Sequence, residues 1–196
     1  MGFTSVTQFE SLIADFFGSS YAVATDSCTH ALELSLRHTN TSHAICPSHT
    51  YISVPSTLTK IGIGWNFINT EWRDFYFLTQ NVVDAAVLWQ EKSYMPGTYM
   101  CVSFQYKKHL GLGRAGVILC DSLDDYTTLK KMSYDGRNPD QPWAEQDIDT
   151  LGYHYYMTPE TAQDGIEKLP AAIEKIPRRW TWRDYPDLRK MSVFCA

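Results

Sequence analysis

The chain has 196 residues, of which 44% are hydrophobic, 14% aromatic and 20% charged; this balance fits one globular α/β-sized domain and excludes disorder over most of its length. A chain of this size buries roughly 70% of the surface its unfolded form exposes, so it needs neither a metal nor a disulfide to hold together. With 17 Lys+Arg against 22 Asp+Glu the net charge is -5, and the basic residues are scattered, in no run longer than a pair such as Arg178-Arg179. That excludes a stripe tracking phosphates, and with it nucleic acid as a partner.

Apolar runs such as Val82-Val83-Asp84-Ala85-Ala86-Val87-Leu88-Trp89 are short and interrupted, far from the ~18 residues of a membrane span. No membrane partner is expected. Residues 1–20 lack the basic and apolar regions of a signal peptide, and the five cysteines show no CxxC spacing. A reducing, cytoplasmic compartment and no metal site are the expectation.

In chain order, Phe9, Leu12, Ile13, Phe16 and Phe17 share one face, predicting a helix from about Gln8 to Phe17 that Gly18 stops in a left-handed conformation. Tyr21–Ala24 reads as a strand leading through the cap-rich Asp26-Ser27-Cys28-Thr29 into a helix at Ala31–Leu36. The alternation recurs with Ala44–Cys46 before a helix at Tyr51–Ile61, and with strands at Trp65–Ile68, Val82–Ala86 and Cys101–Phe104. Ala115–Cys120 is a further strand, closed by Asp121-Ser122 before a helix at Leu123–Lys131. A three-layer α/β fold with a mostly parallel sheet flanked by helices follows. Residues 132–150 read as a long loop of functional or contact character, and helical periodicity returns at Pro159–Leu169. Residues 1–169 are expected to form the main domain, and 170–196 a short tail without a core of its own.

Four segments carry chemistry together, though each alone has a blander reading. Ser27-Cys28-Thr29 stands at a strand-to-helix junction, where backbone N–H groups and the helix dipole suit a phosphate. Asp84 ends an apolar strand and is followed by small residues. Ser103-Phe104-Gln105-Tyr106-Lys107-Lys108-His109 runs from a strand into a lysine-bearing turn. Gly152-Tyr153-His154-Tyr155-Tyr156-Met157 is an aromatic-dense stretch before a helix, a pattern that packing alone also produces.

Taken in order, these segments resemble the DegT/DnrJ/EryC1/StrS sugar aminotransferases, pyridoxal phosphate (PLP) enzymes of fold type I. Phe17–Leu32 is similar to the family's opening motif, Pro47-Ser48-His49-Thr50-Tyr51 to its P-x-x-T-[FWY], and Asp84-Ala85-Ala86 to its D-A-A. Ser103–Lys108 is similar to S-F-x-x-x-K, and Gly152–Met157 to G-Y-N-Y-R-M. The resemblance implies that Lys108, five residues after Ser103, is the Schiff-base lysine and proton shuttle, with Lys107 out of register. It makes Asp84 the partner of the pyridine nitrogen, a carboxylate that keeps the ring protonated and electron-withdrawing. It places Thr29, Ser103 and the backbone of Cys28 and His30 on the phosphate, and stacks Tyr51 on the ring. It further implies a homodimer in which His154 reaches the neighbouring subunit's site, with a keto-sugar nucleotide and an amino acid such as glutamate as substrates.

The chain departs from the pattern at Cys28 (Gly in the family), Val87 (Gln or His), His154 (Asn) and Tyr156 (Arg). Only fourteen residues separate Asn69 from Asp84, where the family carries further strand and helix units, and the family's C-terminal small domain is expected to be reduced or absent. Two other readings stay open: a non-catalytic relative acting as a binding or assembly module, and a PLP enzyme of another reaction type. In the latter family branch a histidine replaces the lysine; Lys108 argues against it, with His109 next door.

Overall fold

A computed structural model of the chain describes residues 3–195. Its elements, in order, are α1 (Thr4–Phe17), β1 (Tyr21–Thr25), α2 (Cys28–His38), β2 (His43–Pro47), α3 (Ser53–Lys60) and β3 (Gly64–Ile68). Then follow β4 (Tyr76–Phe77), β5 (Val82–Asp84), β6 (Tyr99–Ser103), β7 (Gly116–Cys120), α4 (Leu123–Ser133) and α5 (Pro159–Glu174). Every strand and helix expected from periodicity is present, with shifted ends. α1 begins a turn earlier than expected because Val6 is buried on the same face as Phe9 and Ile13. Gly18 ends it at φ 83°, its N–H donating to the Ala14 carbonyl at 2.8 Å, the left-handed stop that only glycine adopts without cost. α5 runs on through Pro170 to Glu174.

The main sheet has the order β1-β7-β6-β5-β4, and β2 pairs with β3 in a separate parallel ribbon. The expected mostly parallel sheet is mixed: β5 and β6 are parallel, while β1·β7, β6·β7 and β4·β5 are antiparallel. β1, β5 and β6 therefore run one way, and β7 and β4 against them. The reason lies in the connections. β6 joins β7 through residues 104–115, which hold no helix, whereas a parallel neighbour needs a crossover element. The two-residue β4 is too short to show alternation in sequence.

The three layers follow from the period of two along each strand. In β6, Met100 and Val102 face α1 and α5 while Cys101 faces α2; in β7, Val117 and Leu119 face the first side and Ile118 the second. Phe9, Ile13 and Phe17 of α1 fill one side, and Leu34 and Leu36 of α2 the other, all at most 1% exposed. No described helix is long and apolar enough to cross a membrane. The loop expected at 132–150 is largely irregular, with one short 3-10 turn at Trp143–Glu145, and the tail beyond α5 carries three more such turns.

Candidate active site

Asp84 closes β5 and is 4% exposed. The antiparallel register sets Tyr76 of β4 directly opposite it, and the Tyr76 hydroxyl donates to Asp84 Oδ2. Asp84 Oδ1 accepts from the Ala86 N–H at 2.9 Å. Thr50, 2% exposed, hydrogen-bonds the Tyr76 hydroxyl from behind. Burial pushes the Asp84 carboxyl above the usual range; the Tyr76 and Ala86 donors and the Lys108 charge pull it back.

Lys108 enters from the turn after β6. Its N–H donates to Gln105 O at 2.7 Å, and Tyr106 N–H to Gly113 O at 2.9 Å, so the turn closes on itself. The ammonium lies 5.0 Å from the centre of the Trp180 ring. Burial lowers its pKa, opposed by Cys28 and Asp84, with Arg178 and Lys107 lowering it further. Lys107 is exposed and leans over Tyr106. Buried Ser103, at the end of β6, accepts from Gln105 N–H at 3.3 Å.

The start of α2 forms the third wall. Ser27 caps it, accepting from the His30 N–H at 3.3 Å, and the Cys28 and Thr29 N–H groups belong to the first turn, which has no partners within the helix. Thr29 Oγ1 and Ser53 Oγ are 2.9 Å apart. This end sits hard against β7: a Cβ on Gly116 would lie 2.4 Å from Cys28 N and 2.7 Å from Cys28 Cα. Burial raises the Cys28 thiol well above the usual range, leaving it an inert packing group.

Asp84, Lys108, Ser103, Cys28, Thr29 and Tyr51 line one cavity of about 540 Å³, a size suited to a small cofactor. Tyr51 stands at its mouth, 56% exposed. Two expected contacts lie elsewhere. The His30 ring bonds Asp26 at 2.6 Å and stacks on Tyr155 at 3.6 Å, and its N–H is taken by Ser27, so neither faces the cavity. His154 is exposed, paired with Asp135 at 3.1 Å, outside its own chain's cavity.

The sequence reading missed the tail's contribution. Arg178, Trp180 and Tyr185 line the cavity, held by Asp74 N–H to Trp180 O at 2.9 Å, Trp180 N–H to Asp74 Oδ1 at 3.0 Å, and His49 Nδ1 to the Tyr185 carbonyl at 2.9 Å. The one signal was the basic pair Arg178-Arg179. Thr50, Tyr76 and Gly116 were also unassigned. A carboxylate buried at the foot of a cavity, without an ion pair among the described residues, fits a protonated ring nitrogen. The helix start across the same cavity fits a phosphate.

Residues 2–96 match the DegT/DnrJ/EryC1/StrS aminotransferase family, the one its motifs resemble. The match takes in Cys28, Thr29, His30, Tyr51 and Asp84 and stops short of Ser103 and Lys108. No curated protein matches the chain. Among solved structures, AtS13 from Actinomadura melliaura superposes with a TM-score of 0.75 at 16% identity over 87% of this chain and 61% of its own. The sugar aminotransferase CalS13 from Micromonospora echinospora gives 0.73 at 13% identity over 87% and 61%. Spr1654 from Streptococcus pneumoniae in its PLP-form gives 0.71 at 18% over 86% and 59%. These likenesses show the fold, that of the fold-type-I aminotransferases, and the chain spans about three fifths of the length of the structures it matches.

Proposed function

We propose that this chain, whose residues 2–96 match the DegT/DnrJ/EryC1/StrS aminotransferase family, is a PLP-dependent aminotransferase that moves an amino group from an amino acid such as glutamate to a keto-sugar nucleotide. The observation that carries this reading is the convergence of Asp84 and Lys108 on one cavity, with the start of α2 and Ser103 on its walls. When bound, PLP supplies an electron-withdrawing ring that stabilises the charge left as the donor's Cα proton departs.

The residues divide the work. Asp84 holds the ring nitrogen, and burial makes that ion pair stronger than it would be in water. Thr29, Ser103 and the Cys28 N–H orient the phosphate. Tyr51 covers the ring from the mouth. Lys108, its pKa lowered by burial, anchors the cofactor and then carries the proton away from and back to the substrate carbon. Trp180 and Tyr185 exclude water, strengthening every charge inside. A homodimer would bring His154, exposed two residues before the Tyr156 that bridges Thr25 of β1, to the neighbouring cavity, and sedimentation at micromolar concentration tests this. A cytoplasmic setting agrees with five free cysteines.

The test is addition of PLP followed by borohydride and peptide mapping. A yellow protein with the cofactor fixed on Lys108 supports the reading, and conversion by glutamate to the amino form supports transamination. A colourless protein, or label on Lys107, refutes it. A second reading is a non-catalytic binding or assembly module, for which PLP would leave no trace.

A further inference from the structure

We propose that Tyr76 is the positioning residue for Asp84: its hydroxyl, backed by Thr50, fixes the orientation of the carboxylate and favours its charged form, with no cation at hydrogen-bond distance among the described residues. This rests on the reading of Asp84 as the partner of a PLP ring nitrogen.

The geometry begins with strand register. β4 pairs with β5 so that Tyr76 stands opposite Asp84, and residues directly opposite in an antiparallel pair share one face of the sheet. Both side chains point into the cavity, and the Tyr76 hydroxyl donates to Oδ2. Thr50, in the connection after β2, is the second partner of that hydroxyl. Since the Tyr76 proton is committed to Asp84, Thr50 is the donor of that pair. The result is a line Thr50 to Tyr76 to Asp84, with all three residues no more than 8% exposed. The Ala86 N–H takes the other carboxylate oxygen. The carboxylate is thus clamped at both oxygens, and its plane is set before any ligand arrives.

The groups facing Asp84 are Cys28 at the start of α2, Cys46 on β2, Tyr76 on β4, Cys101 on β6, Lys108 in the turn and Tyr185 in the tail. Burial pushes the three thiols and both phenols up, so at neutral pH they are uncharged. Lys108 supplies the cation of this set. Tyr76, held in its protonated form, remains a donor across the working range. Hydrogen bonds to a charged group are stronger than those between neutral groups, which is why the removal of this one should move the Asp84 titration measurably.

The experiment follows the carboxyl carbon of Asp84 by NMR in the unliganded, 13C-aspartate-labelled chain, assigned with Asp84→Asn. In Tyr76→Phe, which keeps the ring and its packing on Trp72, the midpoint should rise by about one to two pH units. In Thr50→Val it should rise less, in the same direction; this variant retains Tyr76 and serves if Tyr76→Phe does not fold. With PLP added, the pH below which affinity falls should move up in parallel. An unchanged Asp84 midpoint overturns the inference, as does a shifted midpoint with an unshifted PLP profile. If the wild-type chain takes no PLP at all, the functional reading falls, and the midpoint in the unliganded chain still decides whether Tyr76 governs the carboxylate.

Discussion

Gly116→Ala tests whether the close seat of α2 on β7 builds the phosphate end of the site. The added Cβ would meet Cys28 N at 2.4 Å, Cys28 Cα at 2.7 Å and the Ser27 carbonyl carbon at 2.7 Å, all backbone atoms that cannot rotate aside. Ordinary carbon contacts lie at about 3.5–4.0 Å, so the first turn of α2 must retreat by about 1 Å. Overpacking of this kind costs about 1–3 kcal/mol, offset by about 0.4–1 kcal/mol from the stiffer unfolded chain. Urea denaturation should therefore show a midpoint lower by roughly 0.5–1 M at an unchanged slope. The sharper readout is PLP affinity, titrated by absorbance. A 1 Å misplacement of positioning groups can cost about a hundredfold, so binding should weaken by roughly one to two decades, far more than the stability change accounts for when the protein remains folded. Wild-type affinity for PLP in a stable Gly116→Ala chain would refute the assignment of the α2 start as the phosphate seat.

Burial raises the Asp84 carboxyl in the folded chain, so its contribution to stability is fully present below the unfolded pKa and is lost as pH rises through the folded one. Asp84→Asn should flatten this part of the stability profile of the unliganded chain while abolishing PLP capture; thermal melts across pH 4–8 check the first and absorbance the second. Trp180→Ala uncovers Lys108, whose pKa is lowered by burial, so the pH at which the amine becomes reactive should shift upward, measured as the rate of reductive PLP trapping against pH. Lys130 pairs with buried Glu10 at 2.5 Å, and Glu10 also accepts from Ala24 N–H at 2.7 Å. Lys130→Met strands that carboxylate and should lower stability by about 3 kcal/mol in urea denaturation, with PLP affinity little changed in the protein that stays folded.

What the sequence made legible was whatever is local. The Ser27 cap, the Gly18 stop and the alternation through β6 and β7 each depend on neighbours within a few residues, and each appears where periodicity put it. The order of Thr29, Asp84, Ser103 and Lys108 was readable because strand ends deliver side chains to the same edge of an α/β sheet. The direction of β7 was not, since a connection of residues 104–115 leaves the chain free to reverse. The Trp180 wall was invisible for a different reason: its hydrogen bonds go to Asp74, a pairing across more than a hundred positions that no window of neighbouring residues contains. Tyr76 was missed because a two-residue edge strand has no pattern, although its placement opposite Asp84 is fixed once β4 and β5 pair. His30 shows the limit of motif reasoning: its position in the helix start is as expected, yet Asp26 and Tyr155 capture its ring.

The strap from Arg178 to Tyr185 follows every other wall of the cavity in chain order. During synthesis, the sheet, the acid and the amine can all take their places while the pocket still gapes to solvent, and shelter comes only when that last stretch docks on Asp74 and His49. A nascent or clipped chain lacking it would display a folded framework with an unroofed site, and limited proteolysis beyond Glu174 should turn a water-shielded amine into one that any small aldehyde can reach.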